Sequence, residues 1–276
     1  MKNRIFLSLA LVFFINQSVI SQFSVRMLAI DTVEYIVDYS MKYQQDSANP
    51  NFILEEEMVL LIGKSVSKFL SNNLMIGDTM LKNINSPEGF QKMLNDPVNP
   101  LPRVRFQHEV FKNMPHGEIT NTDHIIGGSF KFLESMNQFN WQLLSETSTI
   151  DGIRIQKAIC NFGGRDWIAW FAPEVPIKDG PYKFNGLPGL IMRIYDTKNH
   201  YNFDFIRIRK PTARLMIEIK DKDYIQTTKQ KFFKAREDFR NDIISRAKEA
   251  GISAEGQQAA AKNMSMKNNP IELMNY

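Results

Sequence analysis

The sequence predicts an α+β domain, mainly antiparallel β: a curved sheet or half-barrel of eight or more strands with flanking helices and a C-terminal amphipathic helix. Three observations carry that reading. From Arg103 to Lys210 short β-rich runs follow one another, separated by tight-turn residues such as Ile150-Asp151-Gly152 and Phe162-Gly163-Gly164, as in an antiparallel meander. Residues 32–43, TVEYIVDYSMKY, alternate with period two. Beyond Tyr224 the period changes: Phe232, Phe233, Phe239, Ile243 and Ile244 lie among charges, with Gly251 placed to cap the end.

Taken in order, the chain opens on MKNRIFLSLALVFFINQSVISQF. Lys2 and Arg4 precede an apolar run over residues 5–15, and Val19 and Ser21 fit the −3 and −1 positions of a cleavage site. Residues 1–21 read as a signal peptide, because the run falls well short of the ~20 residues that span a bilayer. The mature chain has no transmembrane segment on this reading, and its place is the periplasm, the cell surface or the medium. Residues 22–250 then form one domain, and residues 251–276 a mostly flexible tail.

In the first strand Val33, Tyr35, Val37, Tyr39, Met41 and Tyr43 share the core face. QQDSANPN makes a loop, and EMVLLIGKSVSKF a hairpin turning at Gly63-Lys64. Apolar residues at 74, 75, 80, 81 and 84 form a helical face. Ser86-Pro87-Glu88 starts a second short helix, which the prolines at 97, 100 and 102 forbid from continuing. Helices are thus expected over roughly 70–95 and 226–250, one of them covering the concave face of the sheet. Within GLPGLI, Leu187-Pro188-Gly189-Leu190 has the composition of a type II turn, with positive φ at Gly189. Gly186 would permit a close approach. Leu190, Met192 and Ile194 would then share one face of the next strand, with Ile191 and Tyr195 on the other.

Composition narrows the function. The chain carries 34 Lys+Arg and 30 Asp+Glu, and the loss of Lys2 and Arg4 with the leader leaves a net of +2, concentrated beyond Gln226. A nucleic-acid binder would carry a basic face on its folded body, so nucleic acid is not an expected partner. Cys160 is the only cysteine, which excludes an intramolecular disulfide and cysteine-based zinc sites; it reads as a small buried hydrophobe. Gly63-Lys64-Ser65 lacks the earlier glycine of a phosphate loop, and GLPGLI leads into a strand with no nucleophile elbow. His108, His116, His124 and His200 have no metal-ligand spacing. Met264 and Met266 make a soft-ligand pair that fourteen methionines produce readily by chance. No metal or other cofactor is expected. Asp166, Glu174 and Asp179 could serve a hydrolase as paired carboxylates, against the simpler reading that they pair or cap locally. Trp167, Trp170 and Phe171 are the candidate ligand-facing residues. In a strand Trp167 and Phe171 take one face and Trp170 the other, so one set can line the core while the other meets a ligand.

The run from Trp141 to Phe205 resembles the GLPGLI family of exported Bacteroidota proteins, on IDGIRIQKAICNFGGR, WIAWFAPEVPIKDGP, FNGLPGLIMRIYD and YNFDF. The hexapeptide Gly186, Leu187, Pro188, Gly189, Leu190 and Ile191 gives that family its name, and the terminal NPIEL also fits. Ile153-Arg154-Ile155 departs from the family's pattern. The resemblance implies an accessory of the cell envelope, associated with outer-membrane TonB-dependent receptors and without assigned catalytic residues. It also implies O-glycosylation at Ser47 within Asp46-Ser47-Ala48. The functional expectation is a non-catalytic envelope protein holding an apolar ligand or an extended chain on the concave sheet. The alternatives are a docking accessory using the basic C-terminal helix, and a hydrolase at Asp166/Glu174/Asp179.

Overall fold

The structure is a computed structural model that describes residues 25–125 and 127–273. The leader expected over residues 1–21 lies outside the described residues. Thirteen strands form one open sheet: β1 (Met27–Gln44), β2 (Ile53–Gly63), β3 (Ser67–Ser71), β4 (Glu109–Lys112), β5 (Glu118–Ile125), β6 (Gly128–Ser135), β7 (Gln142–Ile150), β8 (Ile153–Phe162), β9 (Arg165–Ala172), β10 (Leu190–Asp196), β11 (Tyr201–Arg209), β12 (Met216–Lys220) and β13 (Ile225–Gln226). Their order is β13-β6-β5-β4-β3-β2-β1-β11-β10-β9-β8-β7, with β12 on the N-terminal half of β1. All pairings are antiparallel except β13 with β6. Five helices among the described residues flank the sheet: α1 (Asn72–Lys82), α2 (Pro87–Leu94), α3 (Lys229–Asn241), α4 (Ile243–Glu249) and α5 (Ala254–Ser265).

Local chemistry accounts for most of these boundaries. The β2–β3 turn is tied by Asp31, whose carboxylate accepts from the Ser65 and Val66 amides at 2.8 and 3.0 Å. Ser71 caps α1 and Ser86 caps α2, each hydroxyl accepting from the amide three residues on. Asp151 and Gly152 both have positive φ, as a two-residue hairpin turn requires.

The main core gathers residues from β1 to β5 and β8 to β11, including Tyr39, Phe69, Trp167 and Phe203. Strands as distant in order as β5 and β8 meet in one cluster, so the sheet must curl around it. The irregular segment between β9 and β10 fills this concave side, burying Tyr182, Phe184 and Leu187, and α3 covers it at the β6 end, where Phe232 stacks on the Phe132 ring that Lys183 faces. Helix α1 and β12 instead cover the opposite face, against Ile36, Leu61 and Phe111. Helix α3 packs Phe232, Phe233 and Phe239 against Phe132 at the β6 end.

Three local expectations need correction. A register shift between Val33 and Tyr35 turns Val33 away from the face of Val37 and into the second cluster beside Ile36. A second shift between Ile191 and Arg193 breaks the alternation in β10: Leu190, Ile191 and Ile194 share the main core, while Met192 packs separately with Ile155 and Ala172. The third concerns residues 251–276. They contain α5, after which Asn269, Ile271 and Glu272 are buried, so through residue 273 the tail is a packed part of the domain.

The two glycines of the hexapeptide exchange roles. Gly186 has φ of 90°, and a β-carbon added to it would meet nothing within 4 Å, whereas Gly189 has no left-handed φ. A β-carbon on Gly189 would lie 2.1 Å from the Ala172 carbonyl oxygen. The Gly189 amide donates to the Leu187 carbonyl at 2.8 Å, a three-residue γ-turn about Pro188 in place of the expected type II turn.

Candidate functional site

Four separate pieces of chain converge where β6 runs on past the two residues paired with β13. Alternation along β6 sends Phe130, Phe132 and Glu134 toward the interior and Lys131, Leu133 and Ser135 outward. The β9–β10 segment contributes Tyr182 and Lys183, and α3 contributes Lys229 in its first turn, following the Thr228 cap. The C-terminal strap over residues 269–273 contributes Glu272.

These residues form a buried charge cluster. Lys183 Nζ donates to Glu272 Oε1 at 2.5 Å and also pairs with Glu134. Lys229 Nζ pairs with Glu134 Oε1 at 2.9 Å and with Glu272 Oε2. The Tyr182 hydroxyl donates to Glu272 Oε1 at 2.5 Å. Behind them, Asn121 donates to Glu134 at 2.9 Å and faces His108 at 2.9 Å. Two lysines and two glutamates balance, which is the condition for keeping charge in a low-dielectric interior. Burial by itself raises the Glu272 carboxyl, but the two lysine charges and their hydrogen bonds outweigh it and hold the group at about 2. Burial likewise works to lower Lys229, and Glu272 and Glu134 reverse that to a net rise. Tyr182 is pushed well above the phenol range by burial and then by Glu272, so it acts as a hydrogen-bond donor. Burial lowers His108, which stays neutral. Tyr182 also holds φ of 54°, a costly conformation for a buried aromatic residue that the pairings around it impose.

The strap is held from its other end by Arg165. Its guanidinium donates to the Ile271 carbonyl at 3.0 Å, the Pro270 carbonyl at 2.7 Å, Asn269 Oδ1 at 2.6 Å and Asp196 at 2.9 Å. The Gly163-Gly164 hairpin lets the strap pass: β-carbons there would meet Glu272 Cγ at 2.9 Å and Leu273 at 3.0 Å.

Outside the cluster lies a cleft of about 670 Å³. Residues 131–135 and Gln138 form one wall, and residues 226–230 the other. Glu134 and Lys229 therefore belong to both the cleft and the buried cluster. The Gln138 side-chain nitrogen is buried and has no hydrogen-bond partner among the described residues. A second charge group, Lys68, Glu109, Lys220 and Asp78, ties β3, β4, β12 and α1 together, with Lys68–Glu109 at 2.6 Å and Lys220–Asp78 at 2.8 Å. Beside it is a smaller pocket of about 190 Å³.

The candidates named from sequence fall elsewhere. Trp167 and Phe171 are fully buried in the main core, Trp167 packing edge-on to Phe184 with ring centroids 4.7 Å apart. Trp170 is half-buried on the other face, with Lys157 Nζ 5.9 Å from its ring centre. The hexapeptide positions the β9–β10 segment and does not line the cleft. Asp166 is exposed at a hairpin and accepts from Asn161 at 3.0 Å, Glu174 is exposed, and Asp179 is paired with buried Lys112. Cys160 is buried, and its thiol is pushed up to about 12 by burial and then by Asp166. Met264 is packed against the α3 aromatics. Ser47 is exposed, with its hydroxyl 2.8 Å from Asn268 Oδ1. Among the described residues no group of three His, Cys, Asp or Glu side chains is placed to hold a metal, and no helix is long and apolar enough to cross a membrane. Sequence reasoning missed Glu134, Lys183, Lys229 and Glu272. Their partners lie up to 95 residues away, and the only local signal was a lysine between two aromatics in Tyr182-Lys183-Phe184.

Comparison with known proteins adds little that is specific. Residues 164–193, which span β9, the segment after it and the hexapeptide, match the family described as "Protein of unknown function (Porph_ging)". No curated protein matches the chain. Two solved structures of PNGF-II, in space groups P21 and C2, are similar at TM-scores of 0.48 and 0.49 with 12% and 11% identity. Each alignment covers 74% of this chain, which spans about a third of the PNGF-II chains, 33% and 32% respectively.

Proposed function

We propose that this chain is an exported, non-catalytic protein of the cell envelope, of the GLPGLI type, that binds its ligand in the cleft between β6 and residues 226–230. The observation that carries the reading is the cleft itself, a cavity of about 670 Å³ with the unpartnered Gln138 amide in its wall and the Lys183/Glu272 cluster fixing its inner side. A site built this way is preorganised, since its lining side chains are held by buried pairs. The concave face is a poorer candidate because the protein's own Tyr182, Phe184 and Leu187 fill it. Helix α3 spends its aromatic face on β6, so docking through the basic C-terminal helix would have to rest on its charges and the exposed Ile244 of α4. Export rests on the leader-like residues 1–21, and placement beside an outer-membrane receptor complex on the family resemblance.

The test is expression of the full chain with its leader, followed by fractionation, intact mass and identification of whatever co-purifies natively. The expected result is a mature chain beginning at Gln22 in the envelope or medium, with a co-purifying species that Gln230→Trp, which fills the cleft, displaces. An uncleaved chain in the cytoplasm overturns export. A co-purifying set unchanged by Gln230→Trp overturns the site.

A further inference from the structure

We propose that the cleft takes an extended polypeptide as a strand added to the edge of β6, carrying an acidic side chain into the cleft; this rests on the cleft being the binding site. Hydrogen-bonding direction alternates along an antiparallel strand, so every second residue of β6 turns its N–H and C=O away from β5. Lys131 is one of these, because its carbonyl accepts the Thr227 amide at 3.0 Å on the outer side. The same parity applies to Leu133 and Ser135. β13 covers only Phe130 and Lys131, after which Thr228 caps α3 and the chain leaves the sheet. The edge groups of Leu133 and Ser135 are therefore left facing the cleft, with no covering strand among the described residues. Two open rungs spaced two residues apart accept about four residues of extended chain at ~3.3 Å each.

The walls also select the added strand. Lys131 lines the cleft from the outward face of β6 with its Nζ 5.8 Å from the Tyr224 ring centre, while Lys229 pairs with Glu134 and Lys183 with Glu272, so the Lys131 charge is left without a carboxylate partner among the described residues. The Gln138 nitrogen is a donor without an acceptor. Both features are complemented by an Asp or Glu side chain. A wholly apolar strand would leave the charge and the amide unmatched. Leu133, 48% exposed on the outward side of β6, offers an apolar contact to the strand's alternate side chains.

The probe is a random hexapeptide library selected against the full mature protein. Binding of enriched peptides is then measured by fluorescence anisotropy, and amide hydrogen exchange is followed at Leu133 and Ser135. The expected result is enrichment of acidic, β-prone hexapeptides that slow exchange at both amides by at least tenfold. N-methylation of alternate peptide nitrogens should abolish binding, and Gln138→Ala should weaken it roughly tenfold. The N-methyl arm needs no protein variant, so it stands even if Gln138→Ala does not fold. Peptides that bind and are displaced by Gln230→Trp, yet protect neither amide and tolerate N-methylation, overturn strand addition while leaving the cleft as a site. Binding that Gln230→Trp does not affect overturns both. Failure to enrich any peptide, or mutual protection of Leu133 and Ser135 in a concentration-dependent dimer, overturns the peptide assignment.

Discussion

Replacing Gly189 with alanine should be the most damaging single-methyl change in the hexapeptide, for a steric reason. The added β-carbon would sit 2.1 Å from the Ala172 carbonyl oxygen and 2.6 Å from its carbon, where ordinary contact begins at 3.4 Å. The obstacle is backbone at the end of β9, and it cannot rotate aside. The strands must part by roughly an ångström, at a junction where the Leu190 amide donates to Val175 at 3.1 Å and the Ile191 amide to Asp179 at 3.0 Å. Overpacking of this kind costs about 3 kcal/mol. In a domain of this size that lowers Tm by about 6–12 °C. Gly186→Ala meets open space but must hold φ near 90°, a cost of about 1–2 kcal/mol. Thermal and urea unfolding of the two variants beside the parent protein measure the difference. If Gly189→Ala melts within about 2 °C of the parent, or above Gly186→Ala, the close-approach argument is wrong.

Further outcomes follow from the buried groups. Glu272→Gln leaves Lys183 and Lys229 without their shared carboxylate and should cost about 3–5 kcal/mol, with Lys183→Met/Glu272→Met together recovering much of it; urea unfolding reads both. The Glu272 and Glu109 carboxyls are held at about 2 in the fold, below the ordinary value of 4.5. Their contribution is thus complete above pH 4.5 and is lost as pH falls toward 2, a slope that Glu272→Gln should flatten in an acid titration of stability. Truncation after Asn268 removes three of the acceptors of Arg165 and one of the two carboxylates paired with Lys183, and should lower Tm by more than about 10 °C where a flexible tail would change nothing; a melting point within about 2 °C would refute the strap. Trp167→Ala should cost about 3–5 kcal/mol and Trp170→Ala well under half of that, measured by denaturant unfolding.

Much of the fold was legible because it is written locally. The period-two run of β1, the Asp151-Gly152 turn and the Ser86 cap each depend on a few neighbouring residues. The bulges at Val33/Tyr35 and Ile191/Arg193 were not legible, because a bulge changes which face a residue takes without changing the composition of the run. The hexapeptide shows the boundary well. Its glycines announce a tight corner. Which of them needs positive φ and which needs space depends on where Ala172 lies across the sheet.

The sequence by itself determined the class of fold, the positions of β1 to β11 and of the first three helices, and the buried character of Cys160, since periodicity, capping and composition act over one or two turns of chain. Only the tertiary structure decided what fills the concave face, where the sheet edge stays open, and that Glu272 is buried between Lys183 and Lys229. A glutamate in a polar C-terminal stretch is ordinarily solvated. It becomes a buried charge only when chain far away in sequence, Lys183 from the β9–β10 segment and Lys229 from α3, arrives to neutralise it, and no local pattern encodes that arrival.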